Sequence, residues 1–319
     1  MKRRDALASL AAFAATGAFA RAGPAKPLRL VVPYSAGGPT DVLARAFAEH
    51  LGQGLGAVVA VDNKPGANTI IGAEIVAHAP ADGYTLLLTT GTALTINQHL
   101  YRKLPYRPEQ DFAPVGMLAV NHYVLYAHPS VPVNTVAELL AYARAHPGQL
   151  TIGLPGSATP THLAIERLEI PAGIELTAVQ YKGSALALND LMGGHIDLVL
   201  DSPVVGMPHV RGGRLKALAV TAPQRMAAVP QAAAIAELIP GYEASSWFGI
   251  VAPAGTPADI VQRLNAQTRR FAGGAASRER LTTLGMLPRG GSVDEMTAFI
   301  ASETQHWGEL IRRTGLKLD

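Results

Sequence analysis

The sequence predicts an α/β protein of two lobes with a hinge cleft between two α/β domains. Three observations point there. The chain repeats a unit of short apolar strand, glycine-bearing turn and amphipathic helix, the pattern of a largely parallel sheet covered by helices. An irregular, proline-bearing stretch from Leu100 to Phe112 (LYRKLPYRPEQDF) interrupts that repetition. A strand-like run, Trp247 to Ala252 (WFGIVA), then returns after a second crossing-like stretch, so the chain passes between the lobes twice.

The start of the chain sets the compartment. Met1-Lys2-Arg3-Arg4 is basic, Ala6 to Ala20 is uncharged, and Ala18-Phe19-Ala20 fits a small-residue cleavage site. That run is shorter than the roughly 20 residues a membrane span needs. Residues 1–22 are therefore expected to be a signal peptide, with Arg3-Arg4 admitting the twin-arginine route beside the general one. The mature protein is expected in the periplasm, soluble. No cysteine is present to carry a lipid or form a disulfide, so a sizeable apolar core must hold the fold. Removing the leader takes four of the 27 basic and one of the 24 acidic residues, leaving 23 of each sign. The basic excess belongs to the leader, and nothing remains that suits nucleic acid or a membrane surface.

In the first lobe, Leu28 to Val32 reads as a strand buried on both faces, and Ser35-Ala36-Gly37-Gly38-Pro39 as a turn. Thr40 takes the N-cap position, Asp41 the first turn, and Leu43, Phe47 and Leu51 form one helical stripe. Strand, turn and helix aim unpaired N–H groups and a positive helix end above the sheet, which makes either a small anion receptor or a plain βα turn. Val58 to Val61 and Tyr84 to Leu88 are further strands, with a helix from Thr69 to Ala79 between them. Thr89-Thr90-Gly91-Thr92 follows the third strand, Thr92 capping the next helix. Val115 to Val120 and Tyr123 to Ala127 are short runs at the first crossing.

The second lobe has helices over 136–145, 162–168 and 185–192, the last capped at Ser184, and strands over 149–153, 175–179, 196–200 and 215–221. Gly193-Gly194 and Gly212-Gly213 sit where left-handed C-caps belong. Helices over 259–271, 277–284 and 293–314 are expected to pack back on the first lobe. The domains are then 23–122 with 248–319, and 123–247.

Five loops share one chemistry. They contribute Tyr34, Ser35, Gly37, Gly38, Thr40 and Asp41; Thr90, Gly91 and Thr92; Gly156, Ser157 and Thr159; Tyr181, Lys182 and Gly183; and Asp201. Each alone reads equally as an ordinary helix start. Facing one another across a cleft, they offer many neutral donors and one cation, Lys182, which suits a small carboxylate better than a phosphate-rich nucleotide. Asp201 is placed to cap its helix or to accept a hydrogen bond from a ligand's amino or hydroxyl group. Phosphate-loop, dinucleotide, nucleophile-elbow and zinc-helix motifs are absent, and the ten histidines lack metal-ligand spacing. Neither a metal nor a cofactor is expected. Ser157, His162 and Asp201 could form a hydrolytic set, but their spacing is unspecific. Trp247 is read as core rather than as a stacking platform.

Over nearly all of the mature chain the sequence resembles the extracytoplasmic solute receptors of tripartite tricarboxylate transport, the Bug family. The residues that carry the likeness are LRLVVPYSAGGPTDVLAR from Leu28, NKPGANTIIGAE from Asn63, DGYTLLL from Asp82, LPYRPEQDFAPV from Leu104 and THLAIE from Thr161. VQYKGSALALNDLMGGHIDLVLDSP from Val179, GRLKALAVT from Gly213 and SSWFGIVAPAGTP from Ser245 continue it. The resemblance implies a two-lobed type II periplasmic-binding-protein fold closing on a small, usually carboxylate-bearing solute, with main-chain groups and the first-strand loop prominent. Ala36 stands where the family usually has proline, and Leu154 and Pro155 where small or polar residues are common. The implied partners are a small organic acid, amino acid or related solute and the membrane subunits of a tripartite transporter. A sensor passing ligand occupancy to a membrane kinase, or a periplasmic hydrolase, are the alternatives.

Overall fold

The computed structural model describes residues 26–37, 39–154, 159–181, 183–283, 285–315 and 317–318. The expected signal peptide lies outside these residues. Two six-stranded sheets form the frame. The first takes β1 (Leu28–Val32), β2 (Val59–Asn63), β3 (Thr85–Thr90) and β4 (Phe112–His122), with β11 (Ser245–Pro253) and β12 (Met286–Pro288) from the far end of the chain. Its order is β12-β4-β11-β3-β1-β2. The second takes β5 (Val124–Ala127), β6 (Thr151–Leu154), β7 (Thr177–Gln180), β8 (Leu198–Asp201), β9 (Lys216–Val220) and β10 (Ala233–Ala234), in the order β10-β9-β5-β8-β6-β7.

In each sheet the strand arriving from the other lobe runs antiparallel to its neighbours, and in the first sheet the edge strand β12 is also antiparallel to β4. β1 pairs parallel with β2 and β3, whereas β11 lies antiparallel between β3 and β4. β5 likewise lies antiparallel between β8 and β9. The chain leaves the first sheet at His122 and enters the second at Val124, and it returns by Ser245, three residues before the expected 248. The two short runs expected near the first crossing belong to different sheets, and the first of them extends into the long β4, held along its length by β11.

Helices cover both sheets. α1 (Pro39–Leu55) buries Leu43, Phe47 and Leu51 as the stripe required. α2 (Ile70–Ala77) follows β2, and a segment with a π turn at Thr92–Ile96 runs into α3 (Asn97–Leu100) after β3. The second lobe carries α4 (Val136–Ala145), α5 (Pro160–Ala172), α6 (Ser184–Met192) and α7 (Pro203–Arg211). Of each glycine pair, the second residue takes the left-handed conformation: Gly194 has φ +71° and Gly213 φ +68°. α8 (Ala258–Gly273) and α9 (Ala275–Thr283) return to the first lobe, where Val261, Leu264, Phe271 and Leu281 join the core of β1 and α1.

The last helix, α10 (Val293–Thr314), does more than expected. Its Trp307, Leu310 and Ile311 pack with Ile96 and Leu100 of the first lobe and Leu163 of the second. Trp247 is core, buried among Val31, Leu87 and Val120, with Phe299 edge-on at 5.6 Å. Among the described residues no helix is long and apolar enough to cross a membrane.

The hydroxyl caps expected at Thr40, Thr92 and Ser184 are corrected. Pro39 is already helical, because its fixed φ suits the first position of a helix, so Thr40 lies inside the first turn of α1. Thr92 is within the π turn that Gly91 precedes, and Ser184 is the first helical residue after Gly183. True caps occur at Thr159, which accepts the His162 N–H, and at Ser202, which accepts the Val204 N–H.

Candidate functional site

The carboxyl end of β1 is braced from within. Asp41, in the first turn of α1, is buried, and its Oδ2 accepts the Gly37 N–H at 2.9 Å and Arg45 Nε at 2.9 Å. Its Oδ1 accepts Asn63 Nδ2 at 3.0 Å, and the same amide donates to the Tyr34 carbonyl at 3.1 Å. Burial alone would raise this carboxyl, but the Arg45 bond, the Gly37 N–H and Asn63 together hold it below the usual carboxylate range. The Gly37 N–H is thus engaged by the chain itself. Gly37 has φ +82° with open space around its missing side chain, and Ser35 is exposed beside it. Gly38 lies outside the described residues.

Beside this loop stands a second strand end. The Tyr34 hydroxyl meets Thr90 Oγ1 at 2.7 Å, with Thr92 close enough to touch the same phenol, whose pKa burial raises. Thr90 and Thr92 are buried, and Gly91 leaves room for the Trp247 indole: a Cβ there would lie 3.1 Å from its Nε1. Next to them the chain adopts a left-handed run, Ala67 (φ +43°), Asn68 (+49°) and Thr69 (+75°), which costs roughly 1–3 kcal/mol per residue. Reciprocal bonds hold it: Asn68 Nδ2 donates to Asn97 Oδ1 at 3.0 Å, and Asn97 Nδ2 to the Asn68 carbonyl at 2.8 Å. The helix that follows, α2, is pressed against the end of β1, since a Cβ on Gly72 would lie 2.8 Å from that of Pro33.

On the second lobe, Thr159 Oγ1 meets Thr161 Oγ1 at 3.0 Å while capping α5. The Tyr181 hydroxyl donates to Asp190 Oδ2 at 2.7 Å, and Gly183, at φ +134°, leaves open space at the start of α6. Asp201, the last residue of β8, is buried. Its Oδ1 accepts the Ser202 N–H at 2.7 Å, and its Oδ2 has no partner. Burial lifts this carboxyl to about 6 against the lowering effects of the Ser184 hydroxyl and the Ser202 N–H. Gly156, Ser157 and Lys182 lie outside the described residues. His162 pairs with Glu166 at 3.5 Å one turn along α5.

Between the lobes the two crossings are stitched together. Tyr123 OH bonds Ser246 Oγ, and the Tyr123 N–H donates to Thr221 Oγ1 at 2.8 Å, whose hydroxyl donates to the Ala244 carbonyl at 2.6 Å. His122 Nε2 meets Glu243 Oε1 at 3.0 Å. Nearer the site, Ser202 Oγ donates across the seam to Asn121 Oδ1 at 3.2 Å. The Tyr123 phenol is raised by burial first, then by the nearby Asp201 carboxylate and Tyr34, so residues from both lobes share one neighbourhood. Among the described residues no three His, Asp or Glu side chains gather closely enough to hold a metal ion.

A sequence profile described as the tripartite tricarboxylate transporter family receptor matches residues 43–316. The chain belongs to this receptor family. Three solved structures resemble this receptor along almost its whole length. A protein of R. palustris solved with adipate is 37% identical, covering 92% of this chain and 99% of its own, with a TM-score of 0.85. The periplasmic binding protein BugD is 31% identical over 92% of this chain and 99% of its own, at 0.81. MatC from Rhodopseudomonas palustris, with bound malate, is 30% identical over 91% and 100%, at 0.79. The two-lobed fold of the receptor is that of periplasmic binding proteins.

Within the receptor, Tyr34, Thr90 and Thr92 come together at the first lobe's edge, and Asp201 stands across the seam. Residue-by-residue reading missed Asn63, Asn68, Asn97 and Asn121, the amides that brace the loops and the seam. NKPGAN at residues 63–68 carried two of them, and asparagines on either side of a Pro-Gly turn after a strand were the available signal.

Proposed function

We propose that this receptor is exported by cleavage of residues 1–22 and closes its lobes in the periplasm on a small carboxylate-bearing solute, for delivery to the membrane subunits of a tripartite transporter. What carries the reading is the seam itself. Strand ends from both sheets approach it with Thr90, Thr92 and Thr159 hydroxyls and helix starts, and among the described residues these strand ends carry no concentration of cations. Neutral donors of this kind hold one carboxylate well and a polyphosphate badly. Relatives solved with adipate and with malate share the fold over nine-tenths of the chain, which supports the same class of solute. The paired crossings at Tyr123 and Ser246 supply a hinge. The reading is of a binder and not an enzyme, in keeping with a family of transport receptors.

A thermal-shift screen against small carboxylates tests it. A solute at 100 times its Kd is expected to stabilise the protein by about 2.7 kcal/mol and to be recovered unchanged. Absence of any carboxylate response, or conversion of the solute, would overturn the reading. Mass spectrometry of the secreted form is expected to start at Arg21 or Gly23.

A further inference from the structure

Among the described residues, six buried side-chain atoms lack a hydrogen-bond partner, and Asp201 Oδ2 is the one carboxylate oxygen. Buried carboxylates normally fill their acceptor sites from the chain itself. Here Oδ1 is filled by the Ser202 N–H, while Oδ2 is left over at the carboxyl end of β8. One residue further on, Ser202 bonds Asn121 of the other lobe, so the free oxygen lies close to the seam between the lobes. Its surroundings are Ser184 at the start of α6 and the phenols of Tyr123 and Tyr126, whose pKa values the Asp201 charge helps to raise. Among the described residues none of these groups neutralises an anion. A solute group placed against Oδ2 gains if it donates a hydrogen bond, and a second carboxylate placed there meets a like charge.

We propose that Asp201 determines specificity: its free Oδ2 accepts a hydrogen bond from an amine, hydroxyl or primary amide carried by a monocarboxylate solute at the end remote from the carboxylate. The inference rests on the carboxylate-receptor reading above and narrows it. The preferred solutes differ from adipate in having a donor where adipate has a second carboxylate.

Calorimetry on the mature protein at pH 8 tests this with two series of straight-chain monocarboxylates, of four and six carbons. The far end is a methyl, carboxylate, amine, hydroxyl or amide in turn. In the series that binds, the donor-ended members are expected to bind about tenfold tighter than the methyl- and carboxylate-ended ones. Asp201→Asn is expected to lose the amine-ended member by about tenfold and to gain for the carboxylate-ended one. Asp201→Ala is expected to level amine, amide and methyl. The wild-type ranking stands by itself should either variant fail to fold. Tightest binding of the carboxylate-ended member, unchanged in Asp201→Asn, would overturn this inference alone. No binding by any member would overturn the carboxylate reading and this inference with it.

Discussion

Asp41 and Asp201 stand at the carboxyl edges of the two sheets, both buried, both beside the start of a helix. Asp41 accepts hydrogen bonds from Gly37, Arg45 and Asn63, and its carboxyl is held low. Asp201 accepts the Ser202 N–H on Oδ1, its Oδ2 has no hydrogen-bond partner within bonding geometry although the Ser184 hydroxyl is near, and it is raised to about 6. The same side chain is a structural brace in one lobe and an unspent acceptor in the other. What separates them is the supply of donors, since burial pushes both carboxyls in the same direction. A brace holds its own loop in shape; an unspent acceptor is left without a donor from the chain.

The contrast predicts opposite responses to mutation. Asp41→Ala is expected to destabilise the protein by about 3–4 kcal/mol in urea titration at neutral pH. Most of that comes from stranding the Gly37 N–H and Asn63, at roughly 1.5–3 kcal/mol for each bond to a charged group, with half-exposed Arg45 adding little. A loss under about 1 kcal/mol would show that the loop holds its shape without the carboxylate. Because the folded pKa of Asp41 is lowered, its contribution is present above the unfolded value and is lost as pH falls through the folded one.

Asp201→Asn is expected to do the reverse in the ligand-free protein. Its folded pKa lies above the usual aspartate value of 3.8, at about 6, so the neutral acid is free of penalty below the unfolded value. Stability is then lost as pH rises from about 4 through about 6, by up to about 3 kcal/mol at 1.36 kcal/mol per unit. The variant should therefore be more stable than the parent at pH 8 by up to that amount, and equal to it near pH 4. An identical difference at both pH values would mean that the carboxyl carries no burial cost.

Gly37→Ala sharpens the picture of the braced loop. No atom lies within 4 Å of the position a Cβ would take, so the cost is that of φ +82° alone, about 1–2 kcal/mol. The smallest effect is expected at Thr40, where the sequence led to an N-cap worth about 1 kcal/mol. With Pro39 opening α1, Thr40→Ala removes no cap and should change stability by less than about 0.5 kcal/mol. A full kcal/mol lost would restore the capping role.

The amino-acid sequence by itself determined the α/β class, the stripe of Leu43, Phe47 and Leu51, the second-lobe glycine C-caps and the return of the C-terminal helices to the first core. These are decided by residues a few positions apart, through periodicity and turn chemistry. Only the tertiary structure decided that β11 enters antiparallel between β3 and β4, and that α10 packs residues from both lobes. It alone decided that Asn68 and Asn97 lock a left-handed turn. It alone separated the two aspartates, because whether a buried oxygen finds a donor depends on groups brought from distant parts of the chain. Asn63 reaches Asp41 across 22 positions, and Asn121 reaches Ser202 across 81, and no local pattern encodes either meeting.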